Sequence, residues 1–159
     1  GRADGAPLDA TAFVAELLGG DPVQRAVAAK LAGRRDGPLA PEARASFVAP
    51  LLVEALRDDY PTIRFLARQS LIDLAGDLGD SPLAEAARDF DYIADAPTRA
   101  ERLAEIARRW TGYVREGGRQ LPPPPPGTFV APDHEIDRDA AASMVALRLM
   151  ASKEIDVGE

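Results

Sequence analysis

The chain has 159 residues, 46% hydrophobic and 28% charged, which is enough apolar material for the core of one globular domain. Its formal net charge of −7 disfavours attraction to nucleic acid or to an anionic membrane surface. With no cysteine and a single histidine, the chain cannot form disulfides or thiolate sites and is poorly supplied for a histidine-dependent triad or a transition-metal site.

Two segments near the start of the chain are almost the same, FVAELL at 13–18 and FVAPLL at 47–52. A turn containing Asp and Pro follows each copy, and a second apolar stretch then runs over 20–32 or 59–71. The apolar side chains recur at helical spacing, so each copy predicts two amphipathic helices joined by a short turn. A repeated helix pair of this size is typical of an α-solenoid, in which each pair buries its apolar face on the next.

The second copy defines the predicted core. Asp59, Tyr60 and Pro61 supply its turn, and Pro50 is expected to bend its first helix. The two apolar stripes are Phe47, Leu51, Leu52, Ala55 and Leu56 on the first helix, and Ile63, Leu66, Ala67, Ser70, Leu71 and Leu74 on the second.

The segments APLLVEAL and DDYPTIRFLARQSL resemble a HEAT repeat, with Asp in the turn and Ile then Arg early in the second helix. The likeness extends over 41–75 and, with Gln24 in place of an aliphatic residue, over 12–32. The resemblance implies a ladder that ties neighbouring layers, formed by Asp21, Arg25, Asp59 and Arg64. The alternative is that these four are unlinked surface charges, which contribute little to stability.

More narrowly, FDYIADAPTRAERLAEIARRW and the ending EIDVGE resemble the HEAT segments that accompany bacterial multihaem c-type cytochromes. This resemblance implies a cytochrome partner, an electron-transfer assembly and a periplasmic or extracellular location. Haem-attachment motifs are absent from the chain, so no haem is expected to be bound covalently, and any haem belongs to another segment or to a partner chain. An export signal, if there is one, was removed or lay on a longer precursor.

The repeat pattern weakens over 80–120. SPLAEAARD predicts a short helix opened by Ser81 and Pro82, and FDYIADAP predicts a loop. A longer helix is expected from about 98 to 116, with Thr98 as N-cap, Glu101 completing a capping box, and Gly117 and Gly118 ending the helix. Its predicted buried stripe is Leu103, Ile106, Ala107, Trp110, Tyr113 and Val114.

LPPPPPG at 121–127 predicts an extended polyproline spacer, with docking into an aromatic groove as the alternative. A final helix is expected from about Asp137 to Ala151, with apolar Met144, Val145, Leu147, Leu149 and Met150. Because this helix is too apolar to be stable alone in water, it is expected to pack on another chain or another segment of the assembly, with Met144, Leu147 and Met150 as interaction residues. The alternative is that it folds back to cap the second helix pair.

Three further features are candidate sites. The acidic residues of DHEIDRD at 133–139 allow a calcium loop, but Arg138 and Met144 stand where an EF-hand needs Gly and Glu, which favours acids at a helix N-terminus. His134 is a candidate axial ligand to a partner's haem, against the more ordinary expectation of a solvated loop histidine. Arg108, Arg115 and Arg119 lie along one side of a helix, either to meet an acidic partner or as a solvated face.

The sequence therefore predicts an all-α solenoid: two HEAT-like helix pairs over 1–79, a degenerate third layer over 80–120, a linker over 121–136, and a terminal helix with an acidic tail over 137–159. No carboxylate pair, phosphate loop or nucleophile–base pair stands out, so no enzyme is expected. The predicted function is a protein-interaction scaffold docked to, or cleaved from, a multihaem cytochrome. The alternative is a general peptide- or protein-binding HEAT module without a haem connection, and neither nucleic acid binding nor membrane insertion is expected.

Overall fold

The computed structural model describes residues 9–39, 44–116 and 121–157, and over these ranges the chain is helical, with no strand. The prediction of an all-α fold is confirmed. The helices are α1 (Ala10–Gly19), α2 (Pro22–Ala32), α3 (Ala49–Ala55), α4 (Pro61–Leu78), α5 (Ser81–Arg88), α6 (Ala96–Arg115) and α7 (Arg138–Val157), and a π-helical turn, Arg44–Val48, runs directly into α3. None of the described helices is long and apolar enough to cross a bilayer.

Helices α1 and α2 pack on each other across a two-residue turn. Asp21 and Gln24 form a capping box at the start of α2, in which each side chain accepts a hydrogen bond from the other residue's backbone N–H, at 2.8 and 2.9 Å. Pro22 lies in the first turn, where its missing N–H would have had no helical partner. Gln24, the departure from the repeat pattern, therefore has a local role as the second member of the cap.

The helix of the second copy is distorted at its start by Pro50. Proline has no N–H to give to the carbonyl of Ser46 four residues earlier, and its ring crowds that carbonyl. The backbone widens into the π-helical turn immediately before α3. The Ser46 carbonyl instead accepts a hydrogen bond from the ring of His134, 88 residues further along the chain.

The core lies among α1, α2, α3 and α4 and extends onto α5 and α6. All five apolar residues predicted to face inward on the first helix of the second copy are buried, and on α4 the predicted stripe is buried except for the half-buried Leu66. The Ser70 hydroxyl donates to the carbonyl of Ala29, which joins α4 to α2. At the end of α2, a Cβ added to Gly33 would lie 2.5 Å from the Ser70 Cα, so this approach requires glycine.

Helix α6 begins before the predicted position. Its N-cap is Asp95, whose carboxylate accepts from the backbone N–H of Thr98 at 2.8 Å, so the assignment of Thr98 as N-cap was wrong. Pro97 in the first turn favours this earlier start. Leu103, Ile106, Trp110 and Tyr113 are buried as predicted, Val114 is half-buried and Ala107 is exposed. Gly117 and Gly118, predicted to end the helix, lie outside the described residues.

The proline segment lies against the body of the protein. Leu121–Pro125 has no regular secondary structure, as predicted, but Leu121 packs on the core and most of these prolines are half-buried. Thr11 of α1 lies close to Gly127, where an added Cβ would be 3.1 Å from its hydroxyl oxygen. The segment therefore returns the chain to α1, and its role as a spacer stays a prediction.

Helix α7 packs on α1. Asp137 accepts a hydrogen bond from Ala140 N–H at its start, and the helix continues six residues beyond the predicted end, Ala151, to Val157. Ala141 is buried, and the Met144 side chain reaches Gly19. The expectation that α7 packs on another chain or another segment of the assembly stays a prediction. The helix folds back mainly onto α1, and its Arg138 and Arg148 also reach Glu54 and Asp58 of the second pair.

Candidate protein-interaction site

A buried arginine–aspartate cluster joins the first two helix pairs. Arg25 of α2 binds the Asp58 carboxylate through Nε at 2.8 Å and through its second terminal nitrogen at 3.4 Å, and both side chains are buried. Its remaining terminal nitrogen donates to the carbonyl of Gly20 at 2.7 Å, at the end of α1. The planar guanidinium suits this fork geometry, since it can give parallel bonds to a carboxylate and a further bond to a carbonyl.

The two carboxylates predicted for the ladder, Asp21 and Asp59, do not pair with Arg25. Asp21 is an exposed helix cap, and the side chain of Asp59 is 68% exposed, so neither is the partner of Arg25. Arg64 does link layers, but through backbone carbonyls: it donates to Asp58 and Asp59 at 2.7 and 3.1 Å and to Tyr92 at 2.8 Å. Burial lowers the pKa of Arg64, and the charge of Arg99 adds to that lowering.

Arg148 of α7 completes the cluster. It donates to the carbonyl of Leu18 at 3.0 Å and lies 3.5 Å from the Asp58 carboxylate, with its side chain 8% exposed. Burial lowers the pKa of Arg148, and so does the neighbouring charge of Arg25. The sequence contains a signal for this residue, because Arg148 is the one charged residue in the apolar run 144–150. A charge in such a run indicates a specific buried partner.

Other arginines also bind carbonyls at helix ends. Arg44 donates to Gly33 at the end of α2, at 2.7 Å, and to the Asp77 carboxylate at 2.9 Å. Arg68 donates to Ala87 and Arg88 at the end of α5, at 3.1 and 2.7 Å. The last carbonyls of a helix lack intrahelical partners and carry partial negative charge. Arginines on one helix thus fix the end of another.

His134 lies in a short hairpin that connects the proline segment to α7. The backbone N–H of His134 donates to Ala131 at 2.8 Å, and Ala131 N–H donates to Glu135 at 2.9 Å, so the turn is a three-residue loop in which His134 takes the left-handed position, with φ at 64°. Its ring nitrogen Nδ1 lies 2.7 Å from the Ser46 carbonyl, and its own carbonyl accepts from the Trp110 indole at 2.9 Å.

The expectation of a solvated histidine was therefore wrong, because His134 is only 7% exposed. Since Ser46 offers a carbonyl, Nδ1 carries the proton of this hydrogen bond. A ring covered to this degree cannot reach a haem on a partner chain unless the hairpin opens. The geometry gives His134 a role in holding the hairpin against the π-helical turn before α3 and against α6.

The acidic residues of 133–139 are used separately. Asp133 accepts from the Glu135 N–H, Glu135 accepts from the Thr111 hydroxyl at 2.7 Å, and Asp137 accepts from the N–H of Ala140 near the start of α7. In the part of the chain that the structure describes, no three His, Asp or Glu side chains are grouped to share a metal ion.

Helix α7 presents apolar side chains to solvent. Leu147 is 67% and Met150 61% exposed, and Leu149 is also exposed, whereas Met144 and Val145 are half-buried. Of the three predicted interaction residues, Met144 is thus used in packing on α1, and Leu147 and Met150 remain accessible.

A groove follows α3 between α6 and α7. It consists of two cavities, of about 310 Å³ on the α7 side and about 260 Å³ on the α6 side, which share Glu54, Arg57 and Arg138. The walls are Pro50, Val53, Ala107 and Trp110 on the α6 side, and Ala142, Val145 and Leu149 on the α7 side. We call this surface the α3 groove. It combines apolar walls with a charged centre, as binding sites for protein segments commonly do.

Two more polar cavities lie between α5 and α6 and share Glu105, Arg108 and Arg109. Both arginines bind the Glu105 carboxylate, at 2.6 and 2.7 Å, and these bonds lower the pKa of Glu105. Of the predicted row of arginines, Arg108 is thus paired within its own helix, Arg115 is exposed, and Arg119 lies outside the described residues.

Comparison with known proteins gives no relative: no family model matches the chain, and no curated protein or solved structure is significantly similar to it.

Proposed function

We propose that the chain is a non-catalytic protein-interaction scaffold, built as a short stack of HEAT-like helix pairs. The observation that carries this proposal is the apolar surface that α7 leaves in solvent, with Leu147 and Met150 more than half exposed. Contiguous exposed apolar side chains on a helix mark an interaction surface more often than isolated ones do.

The packing of the helices supports the stack. Within each copy the two helices contact each other, and α2 of the first copy packs on α4 of the second. Arg25 and Asp58 link the two copies through a buried pair, whose carboxylate is one residue before Asp59, the residue that the repeat resemblance names for a ladder. Each copy thus covers the other's apolar face, as stacked repeats do.

The candidate catalytic groups of the described chain support a non-catalytic role. The ring of the single histidine is buried and bonded to a backbone carbonyl, and the Ser70 hydroxyl is bonded to the carbonyl of Ala29. Both side chains are also almost fully buried, at 7% and 3% exposed, so neither is open to a substrate in solution.

The more specific form of the proposal is a scaffold that docks to a multihaem c-type cytochrome, and it rests on the sequence resemblance over the FDYIADAPTRAERLAEIARRW segment. Haem would then be carried by the partner. A general peptide- or protein-binding module is the second form, and the α3 groove favours it because it offers a binding surface that needs no haem.

Isolation of the natural complex separates the two forms. A Soret band that co-purifies with the chain, together with an intact mass that includes a haem protein, is expected for the cytochrome scaffold. A complex without haem absorption supports the general module, and a chain that is monomeric in its natural source contradicts both.

Partner binding can be tied to α7 with Leu147→Glu and Met150→Glu, singly and together. Both side chains are exposed, so circular dichroism and thermal unfolding should match the parent while partner affinity falls. The matched control is Ile93→Glu, which changes an equally exposed apolar residue in the loop before α6. Equal affinity of the double variant and the parent would exclude α7 as the interaction surface.

A further inference from the structure

The centre of the α3 groove contains two guanidinium groups that share one carboxylate oxygen. Arg57 Nε lies 3.5 Å and Arg138 Nε 3.4 Å from the same oxygen, Oε1 of Glu54. Charge-assisted N–H···O bonds are typically 2.7–2.9 Å long, as in the Arg25–Asp58 pair at 2.8 Å. Both contacts at Glu54 are therefore loose, and neither arginine has a close-fitting partner there.

The positive charges of Arg57 and Arg138 also repel each other. Burial is the main cause that lowers the pKa of Arg57, and the positive charge of Arg138 lowers it further, while Glu54 opposes both effects. The other carboxylates that line the groove are engaged elsewhere: Asp58 binds the buried Arg25, and Glu135 accepts from Thr111. A second carboxylate placed between Arg57 and Arg138 would reduce this repulsion and complete the pairing.

The surroundings of the arginine pair specify more than an anion. On the α6 side, Ala107 is exposed and Ile136 half-buried, whereas Trp110 and Val53 are already buried. On the α7 side, Leu149 is exposed and Val145 half-buried. A small free anion would leave the exposed apolar residues of both sides in water. A protein segment with apolar side chains on both sides of an acidic residue would cover them and place its carboxylate at the centre, which combines apolar burial with charge complementarity.

We propose that the α3 groove binds a segment of a protein partner in which an Asp or Glu side chain, flanked by apolar residues, sits between Arg57 and Arg138. This inference rests on the proposed scaffold function and names the chemistry of its partner. Guanidinium groups suit the task because their planar forks match the geometry of a carboxylate.

A peptide selection tests the proposal directly. The native chain is used to select from a display library of random dodecapeptides, and the leading peptide is then synthesised with a fluorescent label. Its matched control carries Asn or Gln in place of the acidic residue. Affinities are measured by fluorescence anisotropy for the parent chain, Arg57→Gln, Arg138→Gln and the double variant, with Arg108→Gln on α6 as the control outside the groove.

We expect the selected peptides to share an acidic residue between apolar residues. The double variant should bind the leading peptide about tenfold or more weakly, because a charge-assisted pair is lost in a partly desolvated site. The control peptide with Asn or Gln should bind the parent chain more weakly by a similar factor. This comparison needs no variant of the protein, so it remains informative even if a variant folds poorly. Arg108→Gln should bind like the parent.

Selection of peptides without an acidic residue, or equal affinity of the parent and a folded double variant, would overturn the proposal. So would a peptide whose apolar flanks can be changed to Gly and Ser without loss and which acetate displaces, because the groove would then hold only a free anion. The scaffold function is judged separately. If the natural partner loses affinity for Leu147→Glu/Met150→Glu but not for Arg57→Gln/Arg138→Gln, the scaffold stands and the groove assignment fails.

Discussion

Replacement of Asp58 by alanine tests the buried cluster that joins the two helix pairs. The substitution removes the carboxylate that Arg25 binds at 2.8 Å and that Arg148 approaches at 3.5 Å. Both arginine side chains are at most 8% exposed, so the substitution leaves two largely desolvated charges without this partner. The carboxylate also accepts from the Tyr60 N–H at 3.0 Å, which is lost as well.

The expected cost is large compared with that of a surface charge. Removal of one partner from a buried ion pair destabilises a protein by about 3–5 kcal/mol, because the other charge is left uncompensated. For a domain of this size each kcal/mol lowers the melting temperature by about 2–4 °C, so Asp58→Ala should lower it by about 6–20 °C. Asp59→Ala is the matched control one residue away. Its side chain is 68% exposed, and the change should stay within about 0.5 kcal/mol.

Thermal unfolding followed by circular dichroism, with denaturant titration for the free energy, measures both variants. Asp58→Asn adds a graded case, because the amide can still accept from Tyr60 N–H while the charge is gone. If Asp59→Ala destabilises the chain as much as Asp58→Ala, the cluster is wrongly assigned and the resemblance-based ladder through Asp59 regains support.

Three further predictions follow from local geometry. His134→Ala and His134→Gly should both destabilise the chain, because the hydrogen bond to the Ser46 carbonyl is lost. Alanine should cost about 1 kcal/mol more, since glycine accepts the positive φ, and equal denaturant midpoints would contradict strain at this residue. Gly33→Ala should destabilise the chain by about 1–3 kcal/mol, because its Cβ would overlap α4. Gly76→Ala should stabilise it by about 0.5–1 kcal/mol, because the added Cβ meets nothing within 4 Å. Shifts of the melting temperature with the same sign in both variants would refute this contrast. Hydrogen bonds to arginine lower the pKa of Asp77, with Arg35 the largest cause. The stability that Asp77 contributes is therefore present above about pH 4 and is lost as the pH falls through the folded-state pKa. Asp77→Asn should make the denaturant midpoint less sensitive to acid, and a midpoint that falls with pH as in the parent would argue against the pairing.

Helical periodicity allowed the class of fold and much of its core to be predicted. Leu52 and Ile63 were placed on inner faces from spacing alone, and both are buried. This worked because a helix repeats its environment every few residues, so a stripe of apolar side chains is a local signal. Helix starts were harder to predict, since Asp95 and Thr98 are both good caps and only the path of the preceding loop decides between them.

The site was much less accessible from the sequence. Asp58 and Asp59 are chemically identical neighbours, and a single residue of register decides which one faces Arg25. His134 is buried because its hairpin packs beside Ser46, which lies 88 residues earlier in the chain. No local sequence pattern indicates that contact. The α3 groove is formed by three helices that are distant in sequence, so its lining residues show no common spacing.

The contact between α7 and α1 changes how the chain can lose its structure. In a linear array whose units touch only their sequence neighbours, the terminal units open first and unfolding can spread inward. Here α1 and α7, the first and last helices of the described residues, hold each other, and the bond from Arg148 to Leu18 spans 130 residues. Closing so long a loop is slow and costs entropy, but once it is closed neither end can fray without releasing the other. Amide hydrogens of α1 and α7 should therefore exchange through one shared opening, with similar protection at opposite ends of the sequence.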